Sequence, residues 1–585
     1  MSEQQNTLAG IFETMANVLE LQGESPHRTQ AYRRAAESLR ALGEPLEQLW
    51  REKRLKEIPG VGDILAAKIA EYLQTGTLAA YNRLLDQVPF GLLELLEIPE
   101  VGPRRAKLFW DSLGIVSADD LEAAAIAGQL RQVKGVGARM EQRLLENIRA
   151  WRRQRTGRLP LGVAWPLLQD IRRELRDVPG VLQAEPIGSL RRMRETVGDV
   201  ALLVAATDAA AVMAHFCQLP LVEEVLLMGA TKTSVRTADG IQVDLRVLSP
   251  ERWGSGLQYF TGSQAHNLHI RRLAQQQGLT LGEYGFRRDN GSEIICAGEE
   301  AVYATLGLPW IPPELREDRG EIEAAQAGRL PRLVERGNLL GDFQCHTDYS
   351  NGEHNLEEMV AAARQVGLRY MVVADHTNGT ACGKGLTPEV LDDFLADVAR
   401  VNAWFAKGTP LFREFQVFAG AEVNIQADGT LDWSDEALAR LDFVVASVHT
   451  DLSLPREQMT RRIITAMQNP HVDLIGHPLN RLLGLRHGVD VDVEAVFRAA
   501  AARGVALEIN AWPQRLDLND IYVRRALELG VTLAISSDAH DREGFAVLDF
   551  GMAMARRGWA GPQHLLNARS AAEIPRWRQA RMQHG

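Results

Sequence analysis

The sequence of 585 residues has little cysteine, few aromatic residues and no long apolar run. Its four cysteines form no Cys-x-x-Cys pair, which excludes a cysteine zinc ribbon and suits a reducing compartment. Because no run of about 18 uncharged apolar residues occurs, no segment is predicted to span a membrane. The polar start MSEQQNTLAG does not resemble a secretory signal. We therefore expect a cytoplasmic protein.

The chain also lacks an excess of basic residues. Its formal net charge of −11 argues against a protein that holds nucleic acid by bulk positive charge. The charge is uneven, because residues 1–160 are nearly neutral and the rest carries nearly all the excess acid. An acidic remainder is compatible with carboxylates gathered around metal ions. The length predicts several domains.

Residues 1 to about 155 are predicted to be entirely helical, because apolar positions recur at spacings of three and four. Three segments there repeat an apolar lead, a tight turn and an amphipathic helix. They are LKEIPGVGDILAAKIAEYL from Leu55, LLEIPEVGPRRAKLFWDSL from Leu95 and RQVKGVGARMEQRLLENI from Arg131. Each copy resembles the helix-hairpin-helix motif, which binds a DNA phosphate through backbone N–H groups without reading sequence.

The glycines of two of these copies are predicted to contact DNA. They are Gly60 and Gly62 in the first copy and Gly135 and Gly137 in the third. The second copy has Glu100 at the first glycine position, so we expect it to pack rather than bind.

From residue 156 onward the sequence pattern changes to alternating strands and helices, which is typical of an α/β fold. The runs VALLVA, EEVLLMG and IQVDLRVL alternate with helical stretches up to about residue 320, and a segment from Ile311 looks like a partly folded linker. From Asn338 strands and helices alternate regularly, which predicts a (β/α) barrel.

Most of the barrel strands are followed by, or contain near their ends, an acid or imidazole side chain. The C-terminal ends of parallel barrel strands share one mouth, so these side chains are expected to converge. Imidazole and carboxylate without thiolate favour Mn²⁺, Zn²⁺ or Fe²⁺. The candidate ligands are His346, His376, Glu422, His449, His477, Asp538 and His540.

The order of these motifs, over about residues 338–570, resembles the PHP (polymerase and histidinol phosphatase) family of trinuclear phosphoesterases. The resemblance implies that His346, Glu422 and Asp538 hold one metal, with Glu422 bridging to a second at His449 and His540, and His376 and His477 helping to hold a third. Two positions depart from the family pattern. Gln344 replaces the first histidine of His-x-His, and Asn351 replaces an acid or histidine after the serine, so we expect a working site with a weaker third ion.

The run GSLRRMRETVGDVALLV from Gly188 resembles the nucleotidyltransferase signature of family X DNA polymerases. GATKTSV, QVDLRVL, LQYFTGSQAHNLHIRR and GEYGF follow in that family's order and spacing. With the helical and barrel regions, the chain is identified as a member of the bacterial and archaeal family X DNA polymerases that carry a PHP domain. The resemblance implies a nucleotide site of Gly188, Ser189, Arg192, Gly198, Tyr259, Phe260, Gly262, Asn267 and Arg271.

The same resemblance makes Asp199 and Asp244 catalytic ligands for Mg²⁺ or Mn²⁺, and His376 the catalytic residue of the barrel. The second acid of the palm, which should bridge both metals, is Ala201. Two divalent ions about 4 Å apart repel by roughly 16 kcal/mol at an effective dielectric constant of about 20, and a methyl group offsets none of that. Polymerisation is therefore expected to be weak, Mn²⁺-dependent or absent.

The predicted fold is a multidomain α/β protein. The expected boundaries are a first helix-hairpin-helix domain at 1–88, a fingers-like helical domain at 89–156, a palm at 157–252, a thumb at 253–316, a linker at 317–337 and a PHP domain at 338–575. In the first copy, Lys68 falls where the family's 5′-deoxyribose-phosphate lyase nucleophile would lie, although most helix lysines are simply solvated.

Three functional interpretations remain open from the sequence. The first is a monomeric DNA repair enzyme, of the base-excision type and associated with the nucleoid, that fills gaps in DNA with dNTPs and trims 3′ ends. The second is a Mn²⁺-dependent 3′–5′ exonuclease that uses the polymerase-like part as a DNA clamp. The third is a non-catalytic DNA-end-binding protein. The surviving barrel ligands argue against the third, and Ala201 favours the second over the first.

Overall fold

A computed structural model describes the chain except residues 1–2, 43, 76–77, 79, 82–83, 85–91, 93–94, 97, 117, 157, 230, 378–384, 408–414, 485, 487 and 585. The chain divides into two compact units, residues 1–157 and residues 158–585. Within the described ranges, no helix combines the length and the apolar character that crossing a membrane requires.

The first unit is helical, as its periodicity predicts. Apolar residues of its first helices, among them Phe12 and Leu39, are fully buried in one core. The described helices are α1 (Glu3–Leu21), α2 (Pro26–Ala41), α3 (Leu46–Arg51), α4 (Asp63–Thr75), α5 (Pro103–Leu113), α6 (Ala118–Ile126) and α7 (Ala138–Thr156).

The three repeated turns of this unit share one backbone conformation. Gly60 and Gly135 have φ of 81° and 87°, and Glu100 at the matching place in the second copy has a φ of 68°. Helices α4, α5 and α7 each begin three residues after this position. The second turn therefore keeps the repeat geometry although it lacks the glycine that makes such a φ inexpensive.

The second unit opens with a five-stranded sheet in the order β2-β4-β7-β6-β5, in which β4 pairs parallel to β7. Strand β4 is buried along its whole length, which is why it reads as a continuous apolar run. The strands are β1 (Leu159–Pro160), β2 (Val181–Pro186), β3 (Thr196–Val197), β4 (Val200–Ala206), β5 (Val222–Met228), β6 (Lys232–Thr237) and β7 (Gln242–Leu248), with helices α8 (Leu161–Arg176), α9 (Gly188–Arg191) and α10 (Ala209–Cys217).

A smaller helical layer with a three-stranded sheet follows. In the segment expected as a linker, Glu321 is fully buried and bonds the equally buried His266 at 2.7 Å, so this stretch is packed. The elements are α11 (Trp253–Thr261), α12 (Gln264–Gln276), β8 (Leu279–Gly282), β9 (Gly285–Arg288), β10 (Glu293–Ile294), α13 (Glu299–Thr305) and α14 (Glu321–Gln326).

The C-terminal region is a nearly closed parallel barrel, as predicted. Seven strands pair in sequence order, and a parallel bridge from Cys345 to Ala539 brings the first strand to the last. The strands are β11 (Gly341–Cys345), β12 (Tyr370–His376), β13 (Gln416–Asn424), β14 (Phe443–Ser447), β15 (Leu474–Ile475), β16 (Ala506–Asn510) and β17 (Leu533–Ser536). The described helices are α15 (Leu356–Gln365), α16 (Leu391–Ala406), α17 (Asp435–Leu438), α18 (Arg456–Ala466), α19 (Val493–Arg503), α20 (Asp520–Glu528), α21 (Leu548–Arg557) and α22 (Glu573–His584).

The palm sheet and the barrel share one apolar core, which runs from α8 through β4 and β7 to the barrel strands and helices. Buried polar contacts of one arginine add to this packing. Arg557 at the end of α21 donates to the carbonyl of Arg192 at 2.6 Å and to Glu317 Oε1 at 3.0 Å. The palm and the barrel are therefore continuous in their packing.

Candidate metal centre and palm site

The mouth of the barrel brings together all seven ligand candidates that the sequence names in this region. His376 and Glu422 are paired residues in the register of β12 and β13, so their side chains lie on the same face. The remaining candidates follow the last residues of their strands, where parallel strands present side chains to a common mouth. They are His346, His449, His477, Asp538 and His540.

Glu422 is the hub of this centre. Its fully buried carboxylate lies 3.0 Å from His376 Nδ1, 3.3 Å from His449 Nε2 and 3.0 Å from His477 Nε2. Burial opposes its charge, but the imidazoles of His376 and His449 hold the pKa of Glu422 well below its usual range. Glu422 is thus an ionised carboxylate surrounded by rings.

Asp538 is the second carboxylate around which imidazole rings gather at the barrel mouth. Its Oδ1 lies 3.1 Å from His346 Nε2, and the His346 ring stacks on the rings of His376 and His540 at centroid distances of 4.5 and 4.2 Å. Burial opposes the charge of Asp538, but the hydrogen bond from His346 holds the pKa of Asp538 well below its usual range. Burial lowers the pKa values of both His477 and His540 to about 4, so these two rings are neutral at physiological pH and carry free lone pairs.

The donor set fits divalent metal ions. His346, His376 and His540 offer nitrogen atoms within 4.8 Å of one another, and His376, Glu422 and His449 form a second such group. Gln344 Oε1, His346 Nδ1 and His477 Nδ1 are buried without a hydrogen-bond partner. Buried polar atoms are rarely left unpaired, and their concentration here is typical of a site built for a ligand. Nitrogen and oxygen donors without sulfur suit Mn²⁺, Zn²⁺ or Fe²⁺.

Two buried acids that the sequence analysis did not name hold the ligand-bearing loops. Asp375 accepts hydrogen bonds from the Thr347 N–H at 2.7 Å and from the Ser350 hydroxyl at 2.5 Å. Asp342 accepts one from the Ser537 N–H at 2.9 Å, and burial raises its pKa to about 6. Both acids adjoin ligand motifs, in VADH and GDFQCH, so their position in the sequence was a usable signal.

Two further buried groups could not be found from sequence spacing. Asn510 Nδ2 donates to Asp538 Oδ2 at 3.0 Å, and the carboxylate of Glu508 accepts the His477 N–H at 2.5 Å. Both project from β16, the one barrel strand without a named candidate. Burial and the charge of Asp538 raise the pKa of Glu508 well above its usual range.

The two departures from the family pattern lie beside the centre. Gln344 is fully buried, and its Nε2 is 3.5 Å from Asp538 Oδ1. Asn351 accepts a hydrogen bond from the Ser350 hydroxyl at 3.3 Å. An amide oxygen is therefore present at the first position, while the weaker third ion stays a prediction.

The palm site is poorer in ligands. Ala201 and Asp244 are paired in the register of β4 and β7, and the Ala201 methyl belongs to a buried apolar cluster with Leu203 and Trp253. Asp244 is held by the Lys232 ammonium at 2.6 Å and by Gln242 at 3.0 Å. Asp199 is exposed and position 201 carries no acid, so this site lacks the carboxylate that would bridge two metal ions.

The residues expected at the nucleotide lie around this palm site. The Arg192 side chain is buried and donates to Glu317 Oε1 at 3.0 Å and to the carbonyl of Thr261 at 2.6 Å, which joins palm to thumb. Gly188 lies beside Asp199, and Gly262 has a φ of 70° beside Arg192.

Tyr259 stacks under Arg271, and Phe260 stacks under Arg246. Asn267 donates to the Tyr259 carbonyl at 2.7 Å. The roles of these residues toward dNTP remain predictions.

Comparisons with known proteins cover nearly the whole chain. A helix-hairpin-helix domain matches residues 4–78, a SAM-like helix-hairpin-helix tandem matches 92–150, a DNA polymerase beta thumb matches 256–317 and a PHP domain matches 342–511. The DNA polymerase/3′-5′ exonuclease PolX of Bacillus subtilis is 33% identical over 567 residues, which cover 96% of this chain and 97% of that protein.

Other relatives match one part each. DNA polymerase lambda of Rattus norvegicus is 25% identical over 337 residues, covering 52% of this chain and 55% of that protein. A probable phosphatase of Caldicellulosiruptor saccharolyticus is 32% identical over 218 residues, covering 36% of this chain and 83% of that protein. The helix-hairpin-helix unit, the polymerase-like thumb and the PHP barrel together define a family X DNA polymerase of the PHP-bearing class. The chain belongs to that family, as does PolX of Bacillus subtilis.

Proposed function

We propose that this protein processes DNA ends, with the barrel as a metal-dependent 3′–5′ exonuclease and the palm as a weak or Mn²⁺-dependent nucleotidyltransferase. The observation that supports the barrel activity most is the ionised, buried Glu422 contacted by three imidazoles. The name of the Bacillus subtilis relative, which includes both activities, points the same way. The substrates are gapped or 3′-ended DNA and, for the palm, dNTPs.

The chemistry assigned to the barrel is phosphodiester hydrolysis. Clustered divalent ions bound there, with Mn²⁺ as our first choice and Zn²⁺ or Fe²⁺ as alternatives, would supply hydroxide at neutral pH and would neutralise charge on the phosphate oxygens. His346, Glu422 and Asp538 would hold such ions together with the other imidazoles. The carboxylates stay ionised and His477 and His540 stay neutral at physiological pH, so all of them are in the ligand-competent form.

The palm is assigned the lesser role because of two contacts. The Ala201 methyl sits where the resemblance places an acid, and Lys232 neutralises the neighbouring Asp244. A second candidate function, a pure exonuclease that uses the palm and thumb as a DNA clamp, is favoured by these same contacts. Mg²⁺ or Mn²⁺ would bind at Asp199 and Asp244 only weakly.

One experiment separates these functions. A gapped duplex with a labelled primer is incubated with Mn²⁺, with and without dNTPs, using wild type, His376→Ala and Asp244→Ala. The proposal expects shortening by wild type and Asp244→Ala, no shortening by His376→Ala, and slight lengthening with dNTPs that requires Asp244. Shortening without any lengthening supports the pure exonuclease, and binding without either change overturns both functions.

The helical unit is proposed to bind DNA backbone through the glycine turns of its first and third copies. Lyase activity at Lys68 remains a separate proposal, since Lys68 is half-buried on α4. Borohydride trapping of an abasic substrate tests it. A covalent adduct that Lys68→Ala loses would support the lyase, and no adduct with wild type would overturn it. Acting on DNA, the protein would work as a monomer in the cytoplasm, with the nucleoid.

A further inference from the structure

An arginine outside every motif named above lies at the mouth of the barrel. Arg515 follows β16, and its Nε is 3.9 Å from Asp538 Oδ2. Its Nη1 donates to Asn480 Oδ1 at 2.9 Å, and Asn480 in turn donates to the carbonyl of Val448, next to His449. Among the described residues, Arg515 is the sole lysine or arginine within 4 Å of either Glu422 or Asp538.

The chemistry of this arginine suits a phosphate. A guanidinium carries five N–H donors in a planar fork that matches two phosphate oxygens. Within the described part of the chain, the Asn480 contact is the one hydrogen bond of the Arg515 side chain, which is 21% exposed. The side chain therefore has N–H donors left for a ligand at the mouth. The nearby carboxylate of Asp538 attracts the guanidinium toward the candidate metal ligands.

The loop that carries Arg515 is braced by the palm. Arg481 of the barrel donates to Glu195 Oε2 of the palm at 2.7 Å and, with the same nitrogen, to the carbonyl of Leu516. Leu516 is the neighbour of Arg515, so two hydrogen bonds connect a palm carboxylate to the arginine-bearing loop. Glu195 also accepts, through its carbonyl, the N–H of Leu161 at 2.9 Å, which ties it to α8.

A second palm contact fixes the same loop by packing. A Cβ placed on Gly162 of α8 would lie 2.3 Å from the Cβ of Pro513, so the helix backbone touches the loop directly. This contact is two residues from Arg515 on the side opposite Leu516. The palm therefore touches the loop on both sides of the arginine.

We propose that Arg515 binds the scissile phosphate in the barrel, and that Glu195 of the palm positions it through Arg481 of the barrel. The inference rests on the proposed phosphodiesterase function and deepens it. It gives the palm a role in exonuclease action that does not need the missing acid at position 201. Arg515 touches substrate, whereas Glu195 and Arg481 act through the loop.

The first test removes the arginine. Arg515→Ala is expected to lower kcat/KM for 3′-end cleavage about 10- to 100-fold, the scale of a lost hydrogen bond to a charged group. Arg515→Lys is expected to recover part of the loss, because an ammonium keeps the charge and loses the fork. Metal content by mass spectrometry is expected to be unchanged, and affinity for a 3′-phosphorothioate oligonucleotide is expected to fall. Arg498→Ala, on the outer helix α19, is the matched control.

The second test acts from the palm alone. Glu195→Gln is expected to lower cleavage about 3- to 10-fold, consistent with one weakened ion pair, and to speed hydrogen exchange across residues 511–518. Glu224→Gln, an exposed palm acid on β5, is the control and is expected to change neither.

Each contrary result is decisive. Full activity of Arg515→Ala, or loss of metal from it, overturns the phosphate contact. Equal exchange and cleavage in Glu195→Gln and Glu224→Gln overturn the palm brace. All variants are also assayed on bis-p-nitrophenyl phosphate. If wild type hydrolyses this diester but no DNA end, the proposed exonuclease fails while the Arg515 contact is still judged on the small substrate.

Discussion

The palm strand β4 and the barrel strand β13 both present a site position beside a neighbouring strand, but they differ in how many metal ligands surround that position. Each is a buried strand in which one site position is paired with a site residue on a neighbouring parallel strand. Ala201 is paired with Asp244 in the palm, and Glu422 is paired with His376 in the barrel. In the palm, one replacement leaves two acids, and Lys232 holds one of them. In the barrel, Gln344 replaces one ligand among many. Redundancy of ligands decides how much chemistry survives a substitution.

The strongest test of this comparison is to remove the charge of Glu422, the hub of the barrel site. Glu422→Gln keeps the size of the side chain and removes the charge that three imidazoles face. We expect 3′-end cleavage to fall by more than about a hundredfold, beyond the range found for residues that merely support a ligand. The measurement is single-turnover cleavage with saturating Mn²⁺. A variant with a distant histidine changed, His471→Ala, should cleave normally, and cleavage by Glu422→Gln within tenfold of wild type would contradict the hub.

The palm can be tested in the opposite direction, by restoring its acid. Ala201→Asp is expected to raise primer extension about tenfold or more, since a contact to a charged group is worth roughly 1.5–3 kcal/mol. Ala201→Asn provides the same shape without charge and should gain little. Extension is followed on gapped DNA with Mg²⁺ and with Mn²⁺. Equal and robust extension by wild type and Ala201→Asp would show that the methyl group is no handicap.

An effect smaller than that of removing the hub is expected one step away from the barrel ligands. Asp375→Asn leaves every ligand in place but weakens the hydrogen bonds that Asp375 accepts from the Thr347 and Ser350 hydroxyls. We expect cleavage to fall about 10- to 100-fold, with a matching loss of metal affinity in a chelator competition. Asp393→Asn, an exposed acid on α16, serves as control. Metal affinity equal to that of wild type would remove Asp375 from the support of the centre.

The smallest effect concerns the turn that lacks its glycine. Glu100→Gly relieves a φ of 68° and gives up the ion pair with Arg143 at 3.4 Å, for a net gain of about 0.5–1 kcal/mol in local stability. Hydrogen exchange across Ile98–Leu113 in the full chain should slow accordingly. Gly60→Ala, at the matching turn, should speed hydrogen exchange in its own helix α4. Faster exchange in Glu100→Gly would contradict a strained backbone at Glu100.

Much of this architecture is predictable because it rests on local patterns. Continuous apolar runs followed by histidine or acid reveal strands and their ends, and a parallel barrel gathers strand ends whatever the loops between them do. Asp375 could have been predicted, since it adjoins His376. Arg515 could not, because its place depends on Arg481 and on a palm loop some 300 residues earlier in the chain. The partner Glu317 of Arg192 is also remote, since it lies 125 residues later in the chain.

The apolar cluster that passes without a break from α8 into the barrel bears on how such a chain can be inherited. Recombination that joined this barrel to an unrelated partner anywhere within residues 158–585 would leave an open hydrophobic surface and an unmatched set of arginines. A junction near residue 157 lies outside this cluster, whose buried residues all have numbers of 161 or higher. We therefore expect lineages to exchange or lose the helical unit more readily than they separate the palm from the barrel, even where the palm has stopped making DNA.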